Sequence, residues 1–287
     1  MAASRSRSIT MASAVLALAI ALPCHAQGNS QNKGKKSRPP SGSTLPSSAT
    51  GPAAGASPLA WLDDASLLAP GMMSLTFSAM RWTGADLSEV DFPIVDVSVG
   101  IAPRVQLGVN VPRIVGSADG TGPVGGIGTS YVSSKIALLT GADGIKLAVS
   151  PMVEILGEGA VQALAPGEGR TQFGLPISME IGHGPARVFA STGFFTRGAW
   201  FAGGGVGLQA TPKTGVSVSF TRSWAKTDIV GVSRDRREVS GGLSYFMKPQ
   251  LAVYGALGRT VATTDENGAG TTISGGLTLL LSPRNTQ

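Results

Sequence analysis

The stretch Ile145–Leu156 reads IKLAVSPMVEIL and decides the fold. Every second residue of it is apolar, and the positions between carry Lys146, Ala148, Ser150 and Glu154. A period of two residues is the period of a β-strand with two different faces. The sequence therefore predicts a strand here, with one apolar face and one polar face.

The same alternation recurs along the chain from Gly71 onward and predicts twelve strands of about ten residues. Alternation alone fits two architectures, a soluble sandwich with buried apolar faces and an outer-membrane barrel whose apolar faces contact lipid. The predicted strands are Gly71–Trp82, Ile94–Ala102, Val105–Ile114, Gly126–Leu139, Ile145–Leu156, Gln172–Gly182, Ala186–Arg197, Trp200–Ala210, Val216–Trp224, Glu238–Met247, Leu251–Val261 and Thr271–Leu281.

The connections between these strands favour the barrel. Short connections alternate with long polar ones in step with the strands, except for a tight link near Gly198. Short periplasmic turns and longer external loops are typical of outer-membrane barrels, and an even strand number puts both mature termini in the periplasm. The short connections are Pro103–Arg104, Gly141–Gly144, Gly182–Pro185, Thr211–Gly215 and Lys248–Gln250, and the long ones are Thr83–Pro93, Gly116–Gly125, Gly157–Thr171, Ala225–Arg237 and Ala262–Gly270. We expect an all-β, transmembrane, antiparallel up-and-down barrel of about twelve strands.

Two segments precede the barrel, which we assign to residues 59–287. Arg5 and Arg7 stand before an uncharged apolar run, and a small residue, Ala26, follows it, so residues 1–26 read as a secretory signal peptide. Residues 27–58 are rich in Gly, Ser and Pro with a few basic residues and contain almost nothing to bury. We expect a disordered tether there, or alternatively a basic arm that contacts cell-wall or phospholipid anions.

The charge of the chain is unevenly distributed. The sequence has 23 Lys and Arg against 17 Asp and Glu, a formal net charge of +6. The whole excess lies in the signal and the basic linker, and the barrel region is formally neutral. The basic balance therefore does not indicate a nucleic-acid partner.

Residues that carry chemistry are sparse, and we predict no catalytic residue, no cofactor and no metal site. The glycine-rich Gly125–Gly128 lacks the Lys-Ser/Thr of a phosphate loop, and Asp265–Gly268 reads as a plain turn more readily than as a weak calcium loop. His183 lies in a predicted turn and is the only histidine after the signal. A barrel hydrolase that uses His183 is the least favoured function.

Charged and amide side chains fall on the polar face of several strands, which in a barrel lines the lumen. Both signs occur, so a single-sign ion filter is not expected. Either these groups pair with one another and seal the interior, or they line a wet path for a small solute. They are Asp96, Gln106, Asn110, Lys135, Lys146, Glu154, Glu180, Arg187, Arg197 and Gln209.

Aromatic and basic residues near the strand ends are expected at the membrane interfaces, where amphipathic rings prefer the headgroup level. We place Trp82, Trp200 and Trp224 at the external rim and Phe246 and Tyr254 at the periplasmic rim. Arg81, Arg222 and Arg259 fall on lipid-facing positions near the external rim, where we expect contact with lipid phosphates. Alternatively, the strand register is already broken at the rim.

Two features count against the barrel. Pro151 and Pro176 lie within neighbouring predicted strands, where each removes a hydrogen-bond donor and implies a bulge or a register break. The last strand ends in Leu281 and Ser282 and not in a terminal aromatic residue.

Short motifs resemble those of outer-membrane transporters of the phenol meta-pathway type. The segment Leu62–Ala65, followed by Gly71 and an alternating strand, resembles the start of these proteins, and Gly125–Gly128 leading to Ser134–Ile136 resembles their glycine-rich entry to a basic strand. The resemblance covers Leu59–Leu281 and implies a twelve-stranded barrel that passes small, often hydrophobic molecules. We therefore expect passage or uptake of a small molecule across the outer membrane, with outer-membrane lipids and an unknown solute as partners. A surface barrel that does not transport is the alternative.

Overall fold

The computed structural model describes residues 65–84, 88–117, 126–141, 144–157, 161, 168–225, 235–264 and 269–282. The predicted signal peptide, the linker 27–58, the motif residues 62–64 and the acidic loop 265–268 lie outside these ranges. No helix within the ranges is long and apolar enough to cross a bilayer.

Fifteen β-strands account for nearly all regular structure in the described ranges. Their bounds are β1 (Met73–Thr83), β2 (Ser88–Ala102), β3 (Val105–Ser117), β4 (Gly126–Ile127), β5 (Ser130–Thr140), β6 (Ile145–Val149), β7 (Met152–Ile155), β8 (Thr171–Gly174), β9 (Ile177–His183), β10 (Ala186–Phe194), β11 (Ala199–Thr211), β12 (Thr214–Ala225), β13 (Asp235–Lys248), β14 (Leu251–Thr263) and β15 (Thr271–Leu281).

These strands form one closed antiparallel barrel. Strand β1 pairs with β2 on one side and with β15 on the other, so the sheet has no open edge at the chain ends. β4 and β5 both pair with β3, β6 and β7 both pair with β5, and β9 and β8 continue the sheet beyond them. Each of the pairs β4/β5, β6/β7 and β8/β9 therefore makes one span, and the barrel has the predicted twelve spans.

The two prolines interrupt strands without shifting their register. The breaks between β6 and β7 and between β8 and β9 fall at Pro151 and Pro176. The backbone N–H of Ser150 donates to the carbonyl of Pro176 at 2.8 Å, and that of Ser134 donates to the carbonyl of Pro151 at 3.0 Å. Alternation of exposed and buried residues continues through both breaks. The expected break in the ladder is present, but the side chains keep their faces.

The barrel has two distinct ends, which we name by their connections. The turn end carries the short links 103–104, 184–185, 212–213 and 249–250. The loop end carries the longer links, including 118–125 and 226–234. The predicted loop Thr83–Pro93 is wrong in extent, because β2 begins at Ser88 and only 84–87 separate β1 from β2. The tight link at Gly198 is present, and Gly198 has φ 93°, a conformation that favours glycine.

The two faces of the barrel have the reverse polarity of a soluble protein. Outward side chains such as Val218, Leu257 and Ile273 are apolar and exposed, whereas inward side chains such as Ser219 and Thr272 are polar and buried. A soluble sandwich would bury its apolar faces, so this polarity excludes the sandwich and matches a barrel that contacts lipid.

Candidate solute path

A row of polar side chains crosses five neighbouring strands on the inner wall at one level. Cross-strand pairing puts each member directly opposite the next, because successive residues in register share a face. Asp96 is hydrogen-bonded to Asn110, and the hydroxyl of Tyr131 donates to Glu154 at 2.8 Å. The amide of Gln172 also donates to Glu154. This polar row consists of Asp96, Asn110, Tyr131, Glu154 and Gln172.

A second group lies inside the barrel closer to the turn end, and we call Lys135, Lys146, Glu180 and Arg187 the charge cluster. Lys146 pairs with Glu180, with Nζ 2.9 Å from Oε1. One guanidinium nitrogen of Arg187 lies 3.7 Å from Oε2 of the same carboxylate. Lys135 is only 7% exposed, and its charge also interacts with Asp96. Lys146 and Arg187 therefore converge on Glu180, and Lys135 lies near Asp96, in an interior where charges interact strongly.

The chain segment before β1, Ala65–Ala69, lies inside the turn end of the barrel, and we call it the strap. Ala65, Ser66 and Leu68 are buried. The backbone N–H of Leu68 donates to the side-chain carbonyl of Gln106 at 2.8 Å. The strap thus contacts the barrel wall at β3, two strands away from β1, the strand into which it leads.

Ser66 joins the strap to the charge cluster through three hydrogen bonds. Its hydroxyl donates to Glu180 Oε2 at 3.0 Å and accepts from Lys146 Nζ at 2.9 Å. Its backbone carbonyl accepts from Lys135 Nζ at 3.3 Å. Charge-assisted hydrogen bonds are about twice as strong as neutral ones. One serine therefore supplies two acceptor oxygens and one donor to three members of the cluster.

Gly100 makes room for the strap. It occupies an inward position of β2, and a Cβ there would lie 2.5 Å from the carbonyl oxygen of Leu68. The backbone groups of Gly100 also bond the residues that follow the strap, with Gly71 N–H donating to its carbonyl at 2.7 Å. Any side chain at this position would collide with the strap.

Aromatic side chains form part of the inner wall towards the loop end. Phe195 and Phe201 are almost fully buried with ring centroids 6.4 Å apart, and Tyr131 and Met152 pack against them. Closer to the turn end, Phe189 lies under the guanidinium of Arg187 at 5.4 Å. The interior therefore presents an apolar wall beside its charged groups.

Trp82 also lies inside the barrel, which corrects its predicted place at the membrane interface. It is 9% exposed, and the guanidinium of Arg236 lies 5.6 Å from its ring centre. Arg236 in turn donates to Thr260 at 3.0 Å and lies 3.7 Å from the carboxylate of Glu238. These four residues line the loop end on strands β1, β13 and β14.

The predicted lumen residues do not all meet. Gln106, Lys135, Lys146, Glu180 and Arg187 gather around the strap, and Asp96, Asn110 and Glu154 belong to the polar row. Arg197 lies in the loop-end link between β10 and β11, where it bonds the carbonyl of Gly169 and its charge interacts with Glu154 of the polar row. Gln209 lies apart from both groups, because it is exposed at the turn end and donates to the carbonyl of Thr211 at 2.8 Å.

The other predicted interface aromatics divide between the two faces. Trp200 points outward at the loop end, with its ring 4.8 Å from that of Phe194, and Trp224 lies opposite it in register. Phe246 and Tyr254 occupy inward positions of β13 and β14, and Tyr254 is hydrogen-bonded to Ser78 within the barrel. These two were placed on the wrong face.

The three arginines predicted for the outer surface point outward near the loop end. Arg81 and Arg259 are exposed, and Arg259 donates to Thr271 at 3.0 Å. Arg222 makes a bidentate pair with Asp235 at 2.8 and 3.1 Å and lies over Trp224. Arg113 and Arg237 are further outward arginines at this level, and the sequence reasoning did not single them out.

Sequence reasoning also missed Ser66, Tyr131 and Gln172. Alternation within their strands marks Tyr131 and Gln172 as inward, so counting positions from Lys135 and Glu180 finds them. Ser66 precedes the first strand and has no periodic signal. His183 is exposed at the turn end of β9, and among the described residues no three His, Cys, Asp or Glu side chains could share a metal ion.

Comparison with known proteins identifies the architecture. No protein-family model matches the chain, and no curated protein sequence matches it. Solved structures do match. The COG4313 outer membrane channel from Pseudomonas putida F1 is similar with a TM-score of 0.56 and 12% identity, over 75% of this chain and 97% of that one.

Two porin structures give similar agreement. The NanC porin matches with a TM-score of 0.54 and 10% identity over 71% of this chain and 98% of that one. The KdgM porin in complex with disordered oligogalacturonate matches with a TM-score of 0.53 and 9% identity, over 72% of this chain and 98% of that one. This chain has the fold of porin-like outer-membrane barrels. Identities this low establish the fold and leave the solute to be argued from the interior.

Proposed function

We propose that this protein is an outer-membrane channel through which a small solute passes. The observation that carries the proposal is the reversed polarity of a closed barrel, with lipid-compatible side chains outside and a charged, hydrogen-bonding interior inside. The channel and porin names of the matched structures support the same function.

The interior provides two sets of polar contacts in series. From the loop end, a solute passes Trp82 and Arg236, meets the polar row beside the aromatic wall, and then reaches the charge cluster at the strap. Polar groups in both sets replace part of the water that a solute loses on entering a narrow path. Because the strap lies inside the turn end, a solute must pass beside it or displace it.

The resemblance to phenol meta-pathway transporters suggests, more specifically, that the solute is hydrophobic. Phe195 and Phe201 are compatible with an apolar solute, whereas buried Lys135 and Glu180 favour a polar one. We therefore propose a small solute that has polar groups.

The proposal includes the surroundings of the barrel. With the long loops external, the turn end and both mature termini are periplasmic, and the basic linker 27–58 lies where it can contact the cell wall. Outward arginines at the loop end then lie at the level of the outer-leaflet phosphates, where an arginine costs about 0–1 kcal/mol.

Single-channel recording in planar bilayers tests the function with the refolded full chain. We expect discrete openings, and solute-dependent swelling of liposomes that contain the protein. Heat-dependent gel mobility verifies that each preparation contains a folded barrel. A folded barrel with neither openings nor solute flux would overturn the channel function and favour a surface barrel that does not transport.

A further inference from the structure

Strand β2 carries a line of carboxylates on its inner face. Glu89 and Asp91 lie near the loop end, and Asp96 of the polar row lies further towards the turn end. Across the β1 ladder, Glu89 lies opposite Trp82 and Asp91 lies opposite Met80, both of which are inward positions. The described inward positions of β1, β2 and β3 include no lysine, arginine or histidine. Among the described residues, these three strands therefore bring only acidic charges to the inner wall.

A bulge in β2 directs Asp91 into the barrel. Asp91 and Ile94 are three residues apart, yet both are buried, whereas Phe92 between them is 56% exposed. The register of β2 shifts between Asp91 and Ile94 against both β1 and β3. A bulge adds a residue to one strand and thereby re-aims a side chain. Without it, the alternation counted back from Asp96 would put Asp91 on the lipid face.

The carboxylate of Asp91 is buried with an acceptor that is not used. Asp91 is 6% exposed, and its Oδ1 accepts no hydrogen bond from the residues that the structure describes. Its charge interacts with the like charge of Glu89. Arg236, which lies over Trp82, forms an ion pair with Glu238. A buried carboxylate without a donor is costly, and a donor that carries a positive charge would relieve both the desolvation and the repulsion.

The spacing of Glu89 and Asp91 suits an ammonium group better than a metal ion. Residues i and i+2 share one face of a strand with their Cα atoms about 7 Å apart, so one group between them can bond both carboxylates. An ammonium group has several N–H donors for such acceptors. A calcium ion takes about 6–8 oxygen ligands, and among the described residues no three His, Cys, Asp or Glu side chains could share a metal ion.

We propose that Glu89 and Asp91 form a binding site for the ammonium group of a small organic amine at the loop end of the channel. This inference rests on the proposed channel function and names a solute class. An amine that leaves Asp91 towards the strap next meets the polar row, where Asp96 supplies another carboxylate on the same strand. The site therefore favours entry of cationic amines over neutral solutes of the same size.

Two solutes of equal size separate the charge from the other contacts. Serinol, 2-aminopropane-1,3-diol, carries an ammonium group where glycerol carries its central hydroxyl. We expect serinol to raise the unfolding temperature of the refolded barrel, because a ligand that binds the folded state stabilises it. We also expect serinol to interrupt the potassium current of single channels in planar bilayers. Glycerol should do neither.

Substitutions that keep side-chain size test the two carboxylates. Asp91→Asn should weaken the affinity for serinol by about tenfold, the ratio that one charge-assisted hydrogen bond supplies, and Glu89→Gln should act in the same direction. Asp235→Asn is the matched control, because Asp235 pairs with Arg222 on the outer surface at the same end of the barrel. It removes the same charge and should leave the affinity for serinol unchanged. Heat-dependent gel mobility verifies that each variant is folded.

The outcomes separate this inference from the channel function. Equal weakening by Asp91→Asn and Asp235→Asn, or full affinity in folded Asp91→Asn and Glu89→Gln, would overturn the amine site. Calcium chloride that interrupts the current more strongly than serinol, with the effect lost in Asp91→Asn, would assign the carboxylates to a metal ion and also overturn it. Channels that open without any response to serinol would overturn the site and leave the channel intact. Stabilisation by serinol without openings in any folded variant would retain the site and overturn the channel.

Discussion

The carboxylate of Glu154 lies inside the barrel between two uncharged donors. Tyr131 donates to it at 2.8 Å and Gln172 donates from the neighbouring strand. A buried charged group that loses a hydrogen bond retains its desolvation penalty, which amounts to about 1–3 kcal/mol. We expect Tyr131→Phe to lower the free energy of unfolding by that amount, measured by denaturant titration in lipid vesicles.

Tyr245→Phe is the matched control for this prediction. Tyr245 points outward and is 44% exposed, so loss of its hydroxyl should change stability by much less. Equal effects of the two substitutions would show that the hydroxyl of Tyr131 does not stabilise Glu154.

Side-chain direction at single residues could be predicted wherever the alternation was followed strictly. The inward positions of Lys146 and Glu154 follow from their apolar neighbours, because adjacent residues of a strand point to opposite faces. The same rule applied to Arg81 puts Trp82 inside. Trp82 was assigned to the membrane interface because it is an aromatic residue at a strand end. Residue type is a weaker guide to side-chain direction than position in the alternation.

The hairpin of β10 and β11 shows why glycines recur at the inner wall. A Cβ at Gly193 would collide with the ring of Phe201 and would lie 2.9 Å from the Cα of Pro176. Overpacking of this kind typically costs about 1–3 kcal/mol. We expect Gly193→Ala to destabilise the barrel by that amount in the same unfolding assay.

Gly241→Ala supplies the comparison for the hairpin. Gly241 also lies within a strand, but the nearest atom to its Cβ would be 3.8 Å away. Destabilisation of Gly241→Ala as large as that of Gly193→Ala would mean that strand glycines matter through the backbone and not through the space left for Phe201.

The strands and the strap differ in what the sequence could predict of them. Each strand has a local period, so its existence, faces and approximate bounds could be predicted, including the interruptions at Pro151 and Pro176. The strap has no period, and its central contact joins Ser66 to Glu180, 114 residues further along the chain. Such a contact follows from closure of the barrel and has no local signature.

On the scale of the whole molecule, the outward arginines lie at one level of the barrel surface, near the loop end. We expect the combined substitution of Arg81, Arg222 and Arg259 by Gln to weaken binding of a phosphorylated lipid, by about 1 kcal/mol for each arginine near an anionic surface. Native mass spectrometry of the detergent-solubilised barrel measures this against an uncharged lipid with the same chains.

Three basic residues at the opposite end provide the control for lipid binding. Arg104, Lys213 and Lys248 are exposed at the turn end, and their substitution by Gln removes the same charge. Equal losses from both triple variants would indicate a general charge effect, and no loss from either would dispose of the phosphate contact.

The orientation of the barrel in the membrane is inferred from the difference between its two ends, one with short turns and the other with longer loops. The only cysteine of the sequence is Cys24 in the predicted signal, so cysteines introduced into the barrel can be labelled selectively. Thr264 lies at the loop end and Lys213 at the turn end, and both are exposed. In intact Gram-negative cells, a membrane-impermeant maleimide should label Thr264→Cys and leave Lys213→Cys unlabelled. After disruption of the envelope both should react, and the unsubstituted chain shows the background. The reverse pattern in intact cells would place the strap at the cell surface and the long loops in the periplasm.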